Sequence, residues 1–352
     1  LQNFFTNIDK PVFAIHNLPQ EVVGALFSRY SRSEKNIRRL FLDEFWDSSF
    51  SSYSLDPKKL KKAQERTSSF YKKVYAEFGD DSVIQMGSVH IAFEFVSQIA
   101  AKVIEDQRIG AAYIERSTRY VNFGTNAGGR FLFMDVPEIK ESTIYKEYLK
   151  WNNTAFELYN KSFVMAMAYL KKKYPIESQI FETISTGSSF RFSKIKDLVE
   201  KEKLERAYDR ALRAKAFDTV RIFLPTTSVT NLGAHFSGQA AEHAINKMLC
   251  SKYAEVRLLG EMAYQELVKI TPNFLQNIKN HRGEVTRSYL KEISSFQEKV
   301  VNNYVTKIKL LDDRERVKLV DWDREADVKI VSQILYSAQT KTYFSKNEFY
   351  KW

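Results

Sequence analysis

The sequence predicts an α+β fold in which long helices pack on antiparallel strands. Residues 89–95, VHIAFEF, alternate between two sets of side chains, as in a half-buried strand, although the start of a long helix is an alternative. Residues 151–174 carry apolar side chains at helical spacing and end at Pro175. Neither glycine fingerprint, GxGxxG or GxxxxGK, occurs, so nothing indicates a Rossmann or P-loop phosphate site.

Composition limits the classes of protein to consider. At 352 residues and 44% hydrophobic content, the chain suits one large or two smaller domains. No apolar run is long enough to span a bilayer, and the start, LQNFFTNIDK, lacks the layout of a signal peptide. We therefore expect a soluble protein without a membrane partner, located in the cytoplasm.

Cysteine and histidine usage argues against a metal centre. The one cysteine, Cys250, excludes an internal disulfide, and its expected role is that of a buried apolar residue. The five histidines show no paired metal spacing. We expect no structural metal.

The charge is strongly basic. The chain has 54 Lys and Arg against 43 Asp and Glu, a net charge of +11. This balance favours anionic partners such as nucleotides, flavin phosphates or RNA, and does not choose among them. Much of the excess lies in residues 57–73 and 170–175, where a solvated helix face is the simpler interpretation.

The amino-terminal elements are predicted from prolines, caps and apolar spacing. Residues 11–19, PVFAIHNLP, suit an extended entry, and residues 20–45 a helix interrupted by the basic patch RYSRS at residues 29–33. That patch either contacts phosphate or forms a loop between two helices, and we favour the loop. Asp56 and Pro57 begin a helix to about residue 78, and residues 80–82 offer caps for a short one.

The stretch 104–120, IEDQRIGAAYIERSTRY, is the most informative for function. Residues 92–104 have the length and spacing of a buried helix that ends in a charged cluster, and Gly110 allows a turn or a close backbone approach. Residues 115–119 then place two hydroxyl groups between two guanidinium groups, a combination that suits an oxyanion. A surface turn with a salt bridge is the alternative.

The later elements are mostly helices. Residues 123–138 suit a glycine-bearing loop and then a strand-like run, and residues 186–191 a loop or linker. Helices are predicted at residues 195–215, 235–269, 286–309 and 323–338. The chain ends in aromatic residues that either pack on a partner subunit or stack on bases: Tyr343, Phe344, Phe349, Tyr350 and Trp352.

Four stretches resemble the flavin-dependent thymidylate synthases, and more closely a long tandem branch of that superfamily found in archaea and bacteria. They are FGDDSVIQMGSVHIAFEF (78–95), DQRIGAAYIERSTRYV (106–121), VRIFLPTTSVTNLGAHFSGQAAEHAI (220–245) and KYAEVRLLGEMAYQELVKITP (252–272). Residues 10–45 also resemble the amino-terminal segment of the tandem branch. The resemblance implies a shared fold, whereas activity is a separate inference.

The resemblance implies a binding site for a nucleotide phosphate. Ser117, Arg119 and Arg221 match the phosphate clamp of the family, in which the arginine of the RIFLP stretch comes from a neighbouring subunit. Glu115 and Arg116 lie beside this clamp. Three such charge-assisted contacts supply several kcal/mol against a dianion, at about 1.5–3 kcal/mol each.

The resemblance also implies a flavin site, here only partly kept. His90 matches the histidine of an HxxFxF pattern that lies at the flavin, although a lone histidine beside apolar residues is otherwise usually structural. Gln239 and His243 match helix positions that contact the flavin. The family's Arg-His-Arg triplet reads DQR at residues 106–108, so that Arg108 remains.

Several departures weaken the expected flavin site. One extra residue separates Arg108 from Arg119, and Ser237 and Gln239 replace an Asn-x-Arg pair that contacts flavin in the family. The arginine that the family sets against uracil falls at Met248. We therefore expect the clamp to survive and the purified protein to carry little or no tightly bound FAD.

Two functions follow from this asymmetry. As an enzyme, the protein would methylate dUMP to dTMP with FAD bound between subunits, methylenetetrahydrofolate as carbon donor and NADPH as reductant. No side chain need be a nucleophile, so no catalytic residue is named. The alternative is a non-catalytic homologue, for example a ribosome-associated one, that binds nucleotide or RNA through its basic surface.

The expected organisation follows the tandem branch. Residues 1–78 form an amino-terminal helical segment of the same fold, residues 79–275 the thymidylate synthase-like core, and residues 276–352 a helical extension. Family analogy implies an oligomer of two or four subunits. The tandem branch continues into a second copy with its own Arg-His-Arg-like stretch, so the chain is either a shortened homologue or lacks that half.

Overall fold

A computed structural model of the chain describes residues 1–11, 13–30, 33–46, 82–107, 109–182, 189–305, 319 and 321–337. The chain divides into two units, Leu1–Ile293 and Ser294–Trp352, and the boundary falls inside a helix. No helix in the described ranges has the length and apolarity needed to cross a membrane. The predicted α+β fold, with helices packed on an antiparallel sheet, is confirmed.

The described helices and strands have the following bounds. The helices are α1 (Gln20–Tyr30), α2 (Ile37–Leu40), α3 (Ser82–Gln85), α4 (Gln98–Glu105), α5 (Pro137–Lys140), α6 (Tyr145–Lys173), α7 (Leu198–Val220), α8 (Gly238–Leu249), α9 (Ala254–Leu267), α10 (His281–Val305) and α11 (Ala326–Ser337). The strands are β1 (Ser88–Ser97), β2 (Ala111–Glu115), β3 (Asn126–Ala127), β4 (Arg130–Phe131), β5 (Ile180–Glu182), β6 (Ser189–Arg191) and β7 (Val229–Ser237).

The main sheet has three antiparallel strands, with β7 between β1 and β2. One face is buried because alternate side chains such as Phe93, Leu232 and Phe236 point into the core, where α4, α8 and α9 cover them. The other face carries His90 and His235, which are register partners. The alternation read from VHIAFEF is therefore that of a strand.

The segment predicted as one buried helix, residues 92–104, is divided between β1 and α4, so that prediction was wrong over its first half. The division occurs at Ser97, whose Oγ accepts a hydrogen bond from the Ala100 amide (3.0 Å) and caps α4. Glu255 holds Ser97 in turn, accepting from its amide at 2.8 Å and its hydroxyl at 2.6 Å. A serine cap favours a helix start at that point over a continuous helix.

The single helix predicted over residues 235–269 was also wrong. His235 belongs to β7, and the helical part is split into α8 and α9 by residues 250–253. Ser237 caps α8, and Gly260 lets α9 approach closely, since a Cβ there would lie 2.8 Å from Met248 Cβ. The packing of α9 on α8 therefore determines where the helix is interrupted, which the spacing of apolar residues alone does not show.

Two segments read as loops contain short hairpins. Ser189–Arg191, predicted as loop or linker, pairs with β5, and the register sets Phe190 opposite Phe181. Cross-strand aromatic pairs of this kind stabilise short strands. The glycine-bearing loop contains β3 and β4, joined by Gly128 and Gly129 at φ of 62° and 87°.

The amino-terminal segment has its own aromatic and aliphatic core, which includes Phe5, Leu26 and Phe41. The predicted helix over residues 20–45 is interrupted after α1, as expected, and Arg29 of the basic patch forms an ion pair with Glu44 (2.7 Å). The pair favours the structural interpretation of that arginine.

Several predictions lie outside the described residues. They concern Ser31 and Arg32 of the basic patch, the helix beginning at Pro57, the caps Asp80 and Asp81, the flavin-side Arg108, and the aromatic carboxyl-terminal residues. The helices predicted at 286–309 and 323–338 correspond to α10 and α11.

Candidate functional site

A cleft of about 820 Å³ opens between α8 and the turn that joins α4 to β2. The turn contributes Asp106, Gln107, Ile109 and Gly110; the other described residues that line the cleft are Gln85, Ser237, Gln239, Ala240, Glu242, His243, Asn246, Lys247 and Thr286. Most of these lining residues carry amide, hydroxyl or charged groups, although apolar atoms make up more of the exposed lining surface than polar atoms do. This combination suits a ligand with an apolar ring and polar edges.

Gly110 makes the close approach that forms one wall of this cleft. Its backbone is left-handed, with φ of 68°, and its carbonyl accepts from the Ser237 amide at 2.8 Å. A Cβ at this position would lie 2.6 Å from Ser237 Oγ and 3.3 Å from Ala240 Cβ. The predicted turn and close approach are both present, and only glycine meets both conditions without strain.

Helical spacing aligns the functional side chains of the opposite wall. The Ser237 hydroxyl accepts from the Ala240 amide (3.3 Å) and so fixes the start of α8. Gln239, His243 and Lys247 follow at intervals of four residues and therefore share one face. All three line the cleft.

Gln107 and His243 are joined across the cleft. The His243 Nδ1 lies 3.0 Å from Gln107 Oε1, and Gln107 Nε2 donates to the Ile109 carbonyl at 3.3 Å. Gln107 is 8% exposed, and its own carbonyl accepts from the Tyr113 hydroxyl at 2.6 Å. The turn thus holds His243 through a buried amide.

The pKa of His243 is lowered from its ordinary value, first by burial and then by the positive charge of Lys247. The residue as a whole is exposed, while its Nδ1 bonds to the buried Gln107 amide. The neutral imidazole is therefore the favoured form at neutral pH.

Stability should fall as the pH is lowered from 7 through about 6.5, the ordinary histidine pKa. In this range His243 is protonated in the unfolded chain before it is protonated in the folded chain. The unfolded state then binds more protons, so the free energy of unfolding decreases as the pH falls. We expect His243→Asn to reduce the slope of unfolding free energy against pH in urea titrations. His281→Asn, which removes an exposed histidine, is the control. Equal slopes in wild type and His243→Asn would contradict the assignment.

The charges along the cleft are mixed. Asp106 forms an ion pair with Lys102, and the Asn277 amide lies 3.5 Å from a Glu242 carboxylate oxygen. Among the described lining residues, Lys247 supplies the positive charge. Gln85 donates to the Gln239 carbonyl oxygen, which leaves the Gln239 amino group as a donor.

The residues predicted to hold phosphate follow the end of β2. The Arg116 amide donates to the Asn231 carbonyl at 2.9 Å, and its guanidinium lies over the Phe123 ring at 4.7 Å. The Ser117 hydroxyl accepts from the Arg119 amide at 3.2 Å. The structure therefore places these three residues in one tight turn.

Two groups at this turn have unused bonding capacity. Arg119 is exposed, and its recorded side-chain contact is with the Tyr120 ring, 5.7 Å from the guanidinium carbon. Within the described ranges, Glu115 Oε1 is buried and has no hydrogen-bond partner.

Arg221 stands apart from this turn in the chain. It lies in the 3₁₀ turn Arg221–Phe223 after α7 and forms an ion pair with Asp218 at 3.2 Å. No hydrogen bond or ion pair recorded for the described residues joins Arg221 to Ser117 or Arg119. That Arg221 acts on another subunit stays a prediction.

The turn at residues 116–119, called the clamp turn below, and the cleft lie at opposite ends of β2. Gly110 precedes the strand and Glu115 ends it. Five residue steps at about 3.4 Å each separate them by roughly 17 Å. Ser117 therefore does not lie in the cleft.

His90 lies on the open face of the sheet beside His235, with ring centroids 4.6 Å apart and ring planes tilted by 49°. It does not line the cleft that contains the other described flavin-side candidates, Gln239 and His243. Within one chain the structure thus separates His90 from these two residues, and its flavin role stays a prediction.

Sequence reasoning missed the contribution of Gln107. It counted Asp106 and Gln107 as losses because the family has arginine and histidine at these two positions, yet the Gln107 amide bonds to His243 in the cleft. Gln85 and Asn246 were also missed. Met248, where the family has the arginine set against uracil, is 2% exposed and belongs to the core.

Comparison with known proteins gives the family. The profile of the Thy1 family, thymidylate synthase complementing protein, matches residues 42–273. UPF0159 proteins of Chlamydia muridarum and Chlamydia pneumoniae are 35% and 36% identical over 282 residues, covering 80% of this chain and 49% of theirs. A UPF0159 protein of Thermoplasma acidophilum is 28% identical over 302 residues, covering 84% of this chain and 57% of its own. The chain spans about half the length of these curated relatives.

A solved structure of lower similarity also matches. The UMP/dUMP methylase PolB from Streptomyces cacaoi, bound with 5-Br dUMP, is 13% identical, covers 74% of this chain and 90% of its own, and has a TM-score of 0.39. A TM-score this low does not show a family, so the assignment rests on the family profile and the curated relatives. The chain belongs to the thymidylate synthase complementing protein family, that of the flavin-dependent thymidylate synthases.

Proposed function

We propose that the protein is a nucleotide methylase of the flavin-dependent thymidylate synthase type, which converts dUMP to dTMP. The observation that carries the proposal is the turn after β2, where Arg119 is exposed and no carboxylate of the described residues pairs with it. A free guanidinium beside a serine hydroxyl favours a phosphate oxyanion. Methylenetetrahydrofolate would supply the carbon and NADPH the reducing equivalents.

The cleft at α8 fits the ring of a flavin better than its diphosphate. Gln239 and His243 lie on one helix face and offer hydrogen bonds to the polar edge of a ring. The cleft is open enough for a planar heterocycle. Lys247 is the cation among the described lining residues, whereas Asp106 and Glu242 are acidic. Bound FAD would supply redox chemistry here, and these residues would orient its ring.

The protein would then work as an oligomer. The clamp turn and the cleft are separated by roughly 17 Å along β2, whereas reacting atoms must approach to about 3–3.5 Å. A nucleotide held at Ser117 and Arg119 of one subunit can meet the cleft of another, with Arg221 completing the clamp. This arrangement supports the dimer or tetramer implied by the resemblance.

Calorimetry with dUMP and with deoxyuridine tests the proposed substrate class. We expect dUMP to bind and deoxyuridine, which lacks the phosphate, to bind much more weakly. If neither ligand gives heat, or both give the same affinity, the phosphate site at residues 115–119 is wrong.

The purified protein should carry little FAD but should bind added FAD. Losing two charged hydrogen bonds, at about 1.5–3 kcal/mol each, weakens a site by roughly two to four orders of magnitude. An absorbance spectrum of fresh protein, followed by titration with FAD, measures both. A yellow preparation with near-stoichiometric flavin would refute the weakened site and favour a fully active synthase.

RNA binding through the basic surface stays the alternative prediction. Its signature is an affinity that falls steeply with salt, because counterions are released on binding. Absence of RNA binding at about 50 mM salt would remove it.

A further inference from the structure

The hydrogen bonds of Gln107 fix which nitrogen of His243 carries the proton. Gln107 Nε2 donates to the Ile109 carbonyl at 3.3 Å, so its Oε1 faces His243 Nδ1 at 3.0 Å. The flipped amide would set two oxygens against each other at Ile109. An amide oxygen only accepts, and the hydrogen of this bond must therefore be on His243 Nδ1.

The amide that sets this tautomer is firmly held. Gln107 is 8% exposed, and its carbonyl lies 2.6 Å from the Tyr113 hydroxyl, which is also 3.0 Å from the Ile104 carbonyl. Close contact between Gly110 and Ser237 closes the same turn, with a 2.8 Å hydrogen bond. The turn thus holds Gln107 by contacts on both sides.

The remaining nitrogen of His243 is then an acceptor. His243 is exposed and lines the cleft; because its Nδ1 bonds to Gln107, Nε2 is the ring nitrogen that is left for a ligand. In a neutral ring with hydrogen on Nδ1, Nε2 has a lone pair and no proton. Burial and the charge of Lys247 lower the His243 pKa and keep the ring neutral at pH 7.

The neighbouring residues give the ligand a pattern to match. One turn before His243, Gln239 accepts from Gln85 through its oxygen, and its amino group has no hydrogen bond to a described residue, so it can donate to a ligand. One turn after, Lys247 supplies a positive charge. The wall therefore offers a donor, an acceptor and a cation in succession.

We propose that Gln107 is a positioning residue that keeps His243 in the Nδ1–H tautomer, so that Nε2 accepts a hydrogen bond from the imide N–H of a ring bound in the cleft. The inference rests on the proposed function, since flavin and uracil rings both carry an imide N–H beside carbonyl oxygens. A ligand without such a donor would leave the Nε2 lone pair without a hydrogen bond.

The tautomer can be measured without any ligand or activity. Long-range proton–nitrogen NMR of the histidine rings, with His243→Asn to assign the signal, should show Nδ1–H at about pH 7.5. Gln107→Leu should shift His243 toward the Nε2–H form that free histidine favours. Gln265→Leu on α9 should change nothing.

Two ligand pairs then identify the donor. Riboflavin is compared with 3-methylriboflavin, and dUMP with its N3-methyl analogue, by calorimetry. We expect methylation to weaken the ligand that occupies the cleft about three- to tenfold, the effect of one hydrogen bond. The penalty should disappear in His243→Leu, and the pair that shows it names the occupant.

The outcomes separate this inference from the proposed function. An Nε2–H ring in the wild type, or an unchanged tautomer in Gln107→Leu, overturns the inference whatever binds. If both parent ligands bind and methylation has no effect, the imide contact is wrong while the methylase assignment stands. If neither parent ligand binds, the proposed function fails and the imide contact fails with it.

Discussion

Arg119→Gln should weaken dUMP binding about 10- to 100-fold, the loss expected for one charge-assisted hydrogen bond of about 1.5–3 kcal/mol. The guanidinium is exposed, and its recorded contact is the adjacent Tyr120 ring, so its removal should disturb the fold little. Calorimetric titration of wild type and variant measures the change. Binding of deoxyuridine, which has no phosphate, should be unaffected by the substitution.

Arg206→Gln is the matched control for this experiment. Arg206 lies on α7, is 74% exposed at its side chain and pairs with Glu202 at 3.1 Å, so its loss changes the net charge by the same amount. We expect dUMP affinity in that variant to stay within a factor of about two of wild type, because a distant exposed charge is screened by salt. Similar losses in the two variants would mean that net charge, and not a clamp at Arg119, attracts the nucleotide.

Glu21→Ala should destabilise the protein by about 2–5 kcal/mol, since it removes the acceptor of at least two buried hydrogen bonds, at about 1–3 kcal/mol each. The Glu21 carboxylate accepts from the Asn273 amide and from Asn273 Nδ2, both at 3.0 Å. Glu21 is 4% and Asn273 5% exposed, so water does not readily replace the carboxylate. Urea unfolding followed by circular dichroism measures the loss.

Glu21→Gln separates the hydrogen bonds from the charge. Burial raises the pKa of Glu21, against the lowering effect of the Asn273 bonds, so the ionised form is costly in the folded chain. The substituted side-chain amide keeps one acceptor and, once the Asn273 side-chain amide turns over, donates to the Asn273 oxygen. We therefore expect a loss below about 1 kcal/mol. An effect as large as that of Glu21→Ala would assign the stability to the charge itself.

The same carboxyl gives a pH signature. Because its folded pKa is raised above the ordinary value, stability from this group is fully present below about pH 4.5 and declines as the pH rises toward the folded pKa. The free energy of unfolding of the wild type, relative to that of Glu21→Gln, should therefore decrease as the pH rises over this range.

Much of the fold follows from local patterns. The alternation of residues 89–95 indicated β1, the spacing of residues 151–174 indicated α6, and Gly110 indicated a close turn; each is present. Residues 115–119 could be proposed as a phosphate site because they are consecutive in the chain. Where the patterns failed, at residues 92–104 and 235–269, serine caps and helix packing interrupted a continuous apolar run.

The sequence by itself determined the family and the apolar faces, and it indicated residues 115–119 as a candidate phosphate site, because each depends on residues that are neighbours along the chain. The tertiary structure alone decided the pairs: Gln107 bonds to His243 across 136 residues, and Glu21 to Asn273 across 252. Such pairs depend on how β7 inserts between β1 and β2 and on how closely α8 approaches the turn at Gly110. A hydrogen bond requires atoms within about 3 Å, and no local periodicity specifies a distance between segments so far apart.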